Sequence, residues 1–265
     1  MSRKASRTKK QGMVEAGHPA LLAPVTLSEQ KGIRYLHFGN PWIQGAMRLR
    51  KPDVVVLEYG RQMMAWTMFL QEPRQIVQLG LGAGALTKFC HRHFPEANVT
   101  AVEFHPEVIH VCRTMFALPA GNEKLQVIEM DAMDYVTARH HEETVDVLQV
   151  DLYDSTAWGP TLDSSKFYEG CKRCLKAQGI MTVNLLSEFQ SYNRSVKTLI
   201  RLFEKVITLP QTEAGNIVVM AFKTRPPMHD LEVMLERARQ VRMATGLNLQ
   251  QRWVRAIHKD LGSTD

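Results

Sequence analysis

From residue 75 onward the sequence alternates short apolar runs with longer segments of helical periodicity, and this alternation limits the possible folds most. Seven runs have the length and composition of strands: QIVQLG, NVTAVEF, LQVIEMD, VDVLQVD, GIMTVNLL, KVITLP and NIVVMAF. Helical patterns separate most of them, near residues 85–94, 106–116, 164–176 and 188–204. Because strands joined through helices usually run parallel, the pattern predicts an α/β fold with a mostly parallel sheet.

The last two strands differ from the others because no helical segment lies between them. KVITLP and NIVVMAF are joined by QTEAG, a loop of hairpin length. The sequence therefore predicts an open, seven-stranded sheet that ends in an antiparallel hairpin.

The rest of the chain is organised around this sheet. Residues 1–20 are polar and basic at their start, and we expect a disordered tail there. Residues 21–59 contain the strand-like run GIRYLHF and predict a small β-rich flap ahead of the sheet domain at 60–225. Apolar residues at helical spacing, interrupted at Gly246, predict a helical extension at 226–265.

Charge and hydropathy restrict the partners. The net charge is +6, and five of the basic residues lie in the first ten positions, so the remainder is close to neutral. A nucleic-acid contact is therefore expected only through the tail, for which a solubilising role is the alternative. No run of about 18 apolar residues and no secretory signal occurs, which predicts a cytoplasmic protein without a membrane partner.

The four cysteines do not indicate metal or redox chemistry. Cys90 and Cys112 are isolated, and the C-x-x-C formed by Cys171 and Cys174 falls inside a helical pattern instead of at a strand-to-helix turn. We interpret Cys171 and Cys174 as two small, partly buried helix residues and expect no metal.

A glycine-rich turn follows the first strand of the sheet. Gly80, Gly82 and Gly84 stand between QIVQL and a helical segment, where glycine lets the backbone approach a ligand near free helix N–H groups. Glu103 ends the next strand, 23 residues after Gly80. An acid at that place accepts two hydrogen bonds from a ribose diol. Packing of a tight turn alone would also explain the glycines.

Acidic residues also end the third and fourth strands. Asp131, followed by Ala132, closes the third, and Asp151 closes the fourth. Ligands of open α/β sheets bind at the carboxyl ends of the strands, so these acids and Glu103 are expected in one cleft that binds a nucleoside. A hydride-transferring dinucleotide enzyme would share the glycines and Glu103. The acid after the third strand, suited to an adenine amino group, and the terminal hairpin favour an S-adenosylmethionine-type fold.

Several motifs in this order resemble the spermidine synthase (polyamine aminopropyltransferase) family, with the chain as a divergent, bacterial-type member. The resemblance covers about residues 40–222 and is strongest over 76–184. It includes VEF, MDAMDYV and a D-x-x-D pair, Asp151 and Asp154, followed by Gly159-Pro160 and Phe167-Tyr168. The resemblance implies a Rossmann-like S-adenosylmethionine-dependent transferase fold, the methyltransferase fold, and a homodimer.

The resemblance also implies roles for individual residues. Asp154 would act as the general base on the attacking amine, Asp151 would hold the ammonium group of the donor, and Gln44 would reach the donor from the flap. An Asx-turn that caps the following loop is the alternative for Asp154, and simple exposure is the alternative for Gln44. The donor would be decarboxylated S-adenosylmethionine, and the acceptor a small amine such as a polyamine.

Three positions depart from the family pattern. Its glycine loop reads G-G-G-D-G-G, with an Asp that binds the donor amine, whereas Ala83 stands here. Its Y-x-E-M motif, which lines the polyamine channel, aligns on Gly60 and Gln62, with Glu58 and Tyr59 one turn away as substitutes.

These departures leave three functions open. The first is an aminopropyltransferase that uses Asp154 as base. The second is a methyltransferase that uses S-adenosylmethionine itself, because Ala83 would tolerate a donor carboxylate. The third is a non-catalytic protein that keeps the fold, against which the retained Asp151 and Asp154 pair argues.

Overall fold

A computed structural model describes residues 23–153 and 162–262. The predicted basic tail, the predicted base Asp154 and the Gly159-Pro160 turn lie outside the described residues.

The N-terminal part is a three-stranded antiparallel sheet, in the order β1 (Val25–Gln30), β2 (Ile33–Phe38), β3 (Gly45–Arg48). Lys31 and Gly32 join β1 to β2 with φ values of 51° and 76°. Two positive φ angles in a two-residue loop are typical of a type I′ turn, whose twist suits a hairpin. Gln44 directly precedes β3, so the N-terminal sheet determines where Gln44 lies.

The predicted seven-stranded sheet is confirmed. Its strands are β4 (Gln75–Leu79), β5 (Asn98–Glu103), β6 (Leu125–Glu129), β7 (Val145–Val150), β8 (Leu175–Leu186), β9 (Lys205–Thr208) and β10 (Asn216–Phe222). The spatial order is β6-β5-β4-β7-β8-β10-β9, and only β10 runs antiparallel to its neighbours β8 and β9. The strand order reverses between β4 and β7, which is where such sheets open a crevice for ligands.

Eight α-helices surround the sheets in the described part of the chain. They are α1 (Glu58–Met63), α2 (Ala85–His93), α3 (Pro106–Met115), α4 (Ala132–Thr137), α5 (Ser165–Cys174), α6 (Gln190–Leu202), α7 (Leu231–Thr245) and α8 (Gln251–Gly262). Short 3₁₀ helices occur at Ala65–Met68 and Arg139–His141. The four predicted helices between strands are all present, whereas α4 was not predicted, because six residues are too few for a recognisable period.

The large sheet is covered on both faces. Within β4, Ile76 and Val77 are both fully buried but belong to different hydrophobic clusters. The cluster around Ile76 includes Trp66 and, from α8, Trp253, so the C-terminal helices pack on the body of the fold. The cluster around Val77 includes Tyr168 of α5. Alternate residues of a strand point to opposite faces, which explains this division.

The four cysteines are free and buried; Cys171 and Cys174 lie in a helix, α5, as expected, but they are fully and not partly buried. Burial raises the pKa of each thiol above its ordinary value. The thiols therefore stay protonated and unreactive near neutral pH. No helix in residues 23–153 or 162–262 has the length and apolarity needed to cross a bilayer.

Candidate active site

A cavity of about 570 Å³ opens at the carboxyl ends of the central strands, between the large sheet and the N-terminal sheet. It brings together seven of the residues predicted from the sequence: Gln44, Gly80, Gly82, Glu103, Asp131, Ala132 and Asp151. Gly84 is not among the lining residues. Asp154 lies outside the described residues, three positions beyond Asp151.

In the loop after β4, two glycine positions are packed too closely to hold a side chain. At Gly80 the φ angle is 93°, and a Cβ atom would lie 2.1 Å from the carbonyl oxygen of Asp151. At Gly82 the φ angle is 52°, and a Cβ atom would lie 2.9 Å from the carbonyl oxygen of Gln44. The loop therefore runs along the cavity between β7 and the N-terminal sheet. Gly84 begins α2 with φ of 64° and faces Leu118, so its place is structural.

Glu103 at the end of β5 is fixed on the cavity wall by two backbone groups. Leu81 N–H donates to Oε2 and His105 N–H donates to Oε1, each at 2.9 Å. Burial raises the pKa of Glu103, while these hydrogen bonds act in the opposite direction. Each carboxylate oxygen can accept a second hydrogen bond, so the side chain can still receive a pair of hydroxyl groups.

Asp131 follows β6 and caps helix α4. Its Oδ1 accepts a hydrogen bond from Met133 N–H at 2.6 Å, which is the usual role of an aspartate at the start of a helix. Asp131 and Ala132 both line the cavity, and the capping bond uses one of the two carboxylate oxygens. The capping role alone would explain Asp131, and its place on the cavity wall leaves Oδ2 available to a ligand.

Asp151 at the end of β7 belongs to a polar network on the cavity floor. Asn184 Nδ2 donates to Asp151 Oδ1 at 2.9 Å, and the Tyr59 hydroxyl donates to the same carboxylate. Asn216 Nδ2 donates to Asn184 Oδ1 at 3.0 Å, and the Tyr153 hydroxyl donates to the Asn184 carbonyl at 2.9 Å. Burial nevertheless raises the pKa of Asp151, because these two donors do not fully replace the lost water.

The charges of the described lining have one sign. It contains five carboxylate side chains and no lysine or arginine. The carboxylates belong to Glu58, Glu103, Asp131, Asp151 and Glu188. Several carboxylates in one partly enclosed space attract cations, because the low-dielectric walls concentrate their field.

Helix α1 supplies side chains from positions that the family pattern does not use. Glu58 and Tyr59 line the cavity, whereas Gly60 and Gln62, which align with the family's Y-x-E-M motif, do not. Gln62 is fully buried and donates through Nε2 to the Pro210 carbonyl.

Sequence reasoning missed several polar residues of the cavity, among them Asn184, Glu188 and Asn216. Asn184 and Asn216 come from strands β8 and β10, and Glu188 from the loop after β8. Asn184 had a visible signal, because it is the only polar side chain in the apolar run VNLL. Glu188 had none, since it lies in an ordinary connecting segment, and Asn216 had none, since a polar residue at the start of the strand NIVVMAF is not unusual.

The chain is similar to proteins of known families. The model of the "Spermine/spermidine synthase domain" family matches residues 56–228. A polyamine aminopropyltransferase of Neisseria meningitidis serogroup A is 34% identical over 229 residues, which is 86% of this chain and 86% of that protein.

Two solved structures share the fold. A probable spermidine synthase from Corynebacterium glutamicum has a TM-score of 0.69 at 18% identity, over 85% of this chain and 92% of that one. Human methyltransferase-like protein 13, in complex with SAH, has a TM-score of 0.61 at 19% identity, over 79% of this chain and 95% of that one.

Proposed function

The chain belongs to the spermine/spermidine synthase family, and from this premise we propose that it transfers an aminopropyl group from decarboxylated S-adenosylmethionine to an amine. The observation that carries the proposal is the set of five carboxylates, without lysine or arginine, on the described cavity wall. The donor carries a sulfonium and an ammonium group, and the acceptor is a protonated amine. Both substrates are therefore cations that such a wall attracts.

The strand order divides the cavity into two halves. We assign the donor to the half at the ends of β4, β5 and β6, which contains the glycine loop, Glu103 and Asp131. We assign the acceptor to the half beyond β7, which contains Asn184, Glu188 and Asn216. Asp151 ends β7 and stands at the boundary. This arrangement supports the binding of two substrates side by side.

In the donor half, each polar group suits one part of the donor. Glu103 would accept hydrogen bonds from the two ribose hydroxyls, and Asp131 one from the adenine amino group. Asp151 would pair with the ammonium group, with Gln44 contacting the donor from the N-terminal sheet. A cation at Asp151 also offsets the cost of burying that carboxylate, whose pKa burial raises.

Asp154 would act as the general base. An alkyl amine has a pKa of about 10, so freeing its lone pair at neutral pH costs about 4 kcal/mol. The carboxylate would accept the proton as the nitrogen attacks the carbon next to the sulfonium. The carbon–sulfur bond breaks, its electron pair returns to sulfur, and 5′-methylthioadenosine leaves as a neutral thioether.

A second candidate, methyl transfer from S-adenosylmethionine, is favoured by one position. Ala83 replaces the Asp that resembling enzymes use for the donor amine. However, a donor carboxylate would enter a cavity whose described wall already holds five carboxyl side chains and no lysine or arginine. Repulsion between like charges argues against that donor.

Calorimetry with three nucleosides and a turnover assay test the proposal. We expect decarboxylated S-adenosylmethionine to bind more tightly than S-adenosylmethionine. We also expect release of 5′-methylthioadenosine when 1,4-diaminobutane is added. Tighter binding of S-adenosylmethionine would favour the methyltransferase, and no binding of either, or of 5′-methylthioadenosine, would favour a non-catalytic protein.

We also propose a cytoplasmic homodimer. Four free cysteines suit a reducing compartment. Leu27, Leu49 and Val54 are exposed apolar residues on or near the N-terminal sheet, and they support pairing of two chains there. Light scattering after size exclusion tests the dimer, and a mass of one chain, about 30 kDa, would contradict it.

A further inference from the structure

The C-terminal helix α8 contacts one residue of the cavity wall, Glu58 of helix α1. Arg252 Nη2 lies 2.5 Å from Glu58 Oε1, and Gln250 Nε2 donates to the same oxygen at 3.3 Å. Glu58 lines the cavity, whereas Arg252 and Gln250 do not. The two residues therefore act on the cavity only through Glu58.

Glu58 belongs to the acceptor half of the cavity. It begins helix α1, which packs against β8 and β10, and α8 packs against the neighbouring strand β9. These strands lie beyond β7, on the side away from Glu103 and Asp131. A substitution of Arg252 should consequently affect binding of the acceptor more than binding of the donor.

The geometry leaves part of Glu58 available to a substrate. Both contacts fall on Oε1, and within the described residues Oε2 has no hydrogen-bond partner. The Glu58 side chain is 19% exposed and that of Arg252 is 51% exposed. Water therefore screens the arginine more than the carboxylate, and Glu58 keeps attraction for a second cation.

We infer that Arg252 is a positioning residue for the amine acceptor. Together with Gln250 it holds the Glu58 carboxylate by Oε1, so that Oε2 receives the ammonium group at the far end of a diamine. The inference rests on the proposed function, and it makes the C-terminal extension part of the acceptor site. If the contact between α8 and α1 were purely structural, its loss would instead lower stability and would not change KM for one substrate more than for the other.

The first test compares Arg252→Gln with Arg255→Gln, which removes an exposed arginine from the same helix. Initial rates are measured with decarboxylated S-adenosylmethionine and 1,4-diaminobutane. We expect KM for the diamine to rise about three- to fivefold in Arg252→Gln, since a half-exposed ion pair contributes modestly. KM for the donor and kcat should stay at the wild-type values. Arg252→Lys should restore part of the loss, and Arg255→Gln should match the wild type.

A second test distinguishes a positioning role of Arg252 from a purely structural contact between α8 and α1. 1-Aminobutane lacks the far ammonium group, so its KM should be the same in the wild type and in Arg252→Gln. Glu58→Gln should itself raise KM for the diamine, and adding Arg252→Gln should change it no further, because Arg252 acts through Glu58.

Three results would overturn the inference: an unchanged or lower KM for the diamine in folded Arg252→Gln, equal changes for both amines, or additive effects with Glu58→Gln. Each of these requires normal wild-type turnover, and so leaves the proposed function standing. Absence of wild-type turnover with any amine overturns the proposed function, and this inference falls with it.

Discussion

The substitution Glu103→Gln keeps the volume of the side chain and removes one acceptor atom. In the wild type, Oε2 and Oε1 each accept one backbone N–H, from Leu81 and His105. However a glutamine amide is turned, its NH₂ group faces one of these two N–H groups. One partly buried donor is thus left unpaired, at a cost of about 1–3 kcal/mol.

This cost predicts two measurable effects. For a chain of this size, each 1 kcal/mol lowers Tm by about 2–4 °C, so we expect a fall of several degrees in differential scanning calorimetry. In the proposed donor site the ribose loses one charge-assisted hydrogen bond, worth about 1.5–3 kcal/mol. Titration with 5′-methylthioadenosine should therefore show an affinity about 10- to 150-fold lower.

The pH dependence adds a separate check. Burial raises the pKa of Glu103 above its ordinary value. A carboxyl with a raised pKa stabilises the fold most below its unfolded pKa, and this contribution is lost as the pH rises through the folded pKa. The Tm difference between the wild type and Glu103→Gln should therefore narrow as the pH rises from about 4 toward neutral.

Glu129→Gln is the matched control, because Glu129 pairs with Glu103 in the neighbouring strand and is exposed. It should leave both Tm and nucleoside affinity unchanged. If Glu103→Gln bound 5′-methylthioadenosine as tightly as the wild type, Glu103 would have no part in binding the ribose. If the Tm stayed the same, the two backbone hydrogen bonds would not carry the energy assigned to them.

Three further predictions concern the loop, the base and a buried lysine. Asp154→Asn should lower kcat by about 100-fold or more while 5′-methylthioadenosine affinity stays the same; a parallel loss of affinity would contradict its role as base. Gly80→Ala should reduce the free energy of unfolding in urea by several times the loss for Gly215→Ala, because both φ angles are positive but only Gly80 faces a backbone oxygen, at 2.1 Å; equal losses would exclude the clash. Burial lowers the pKa of Lys88 to about 8, so the wild type should gain stability as the pH rises from about 8 toward 10.5, and Lys88→Met should lack this gain.

The fold was predictable because each strand and most helices can be recognised from a short stretch of neighbouring residues. Strands of the large sheet are short apolar runs, and their order along the chain fixes where helices cover them. Strand β8 shows the limit, because it begins at Leu175, four residues before the predicted run, with a register shift opposite Val145 and Val147. The segment KAQG looks like a loop in sequence, and only pairing with β7 keeps it extended.

The site was predictable where the topology dictates it and not elsewhere. Glu103, Asp131 and Asp151 follow successive parallel strands, so one edge of the sheet must hold all three. Asn184 and Asn216 meet through an antiparallel pairing of β8 with β10, a contact between residues 32 positions apart that no local pattern encodes. Tyr59 is a similar case, since its hydroxyl reaches Asp151, which lies 92 positions later in the chain.

The packing around Ala83 bears on the proposed donor half, which lacks the aspartate of resembling enzymes. Ala83 is 2% exposed, and a Cβ atom at Gly45 would lie 2.6 Å from the Ala83 Cβ atom, so strand β3 rests directly on the glycine loop. A small pocket of about 30 Å³ beside Ala83 is also lined by Tyr59 and Asp151. Asp151 faces this space, with Tyr59 donating to it, and in the proposed function its carboxylate would pair with the ammonium group of the donor. Contact between two small residues, Gly45 and Ala83, therefore lets strand β3 rest on the loop, and under the proposed function Asp151 would supply the negative charge.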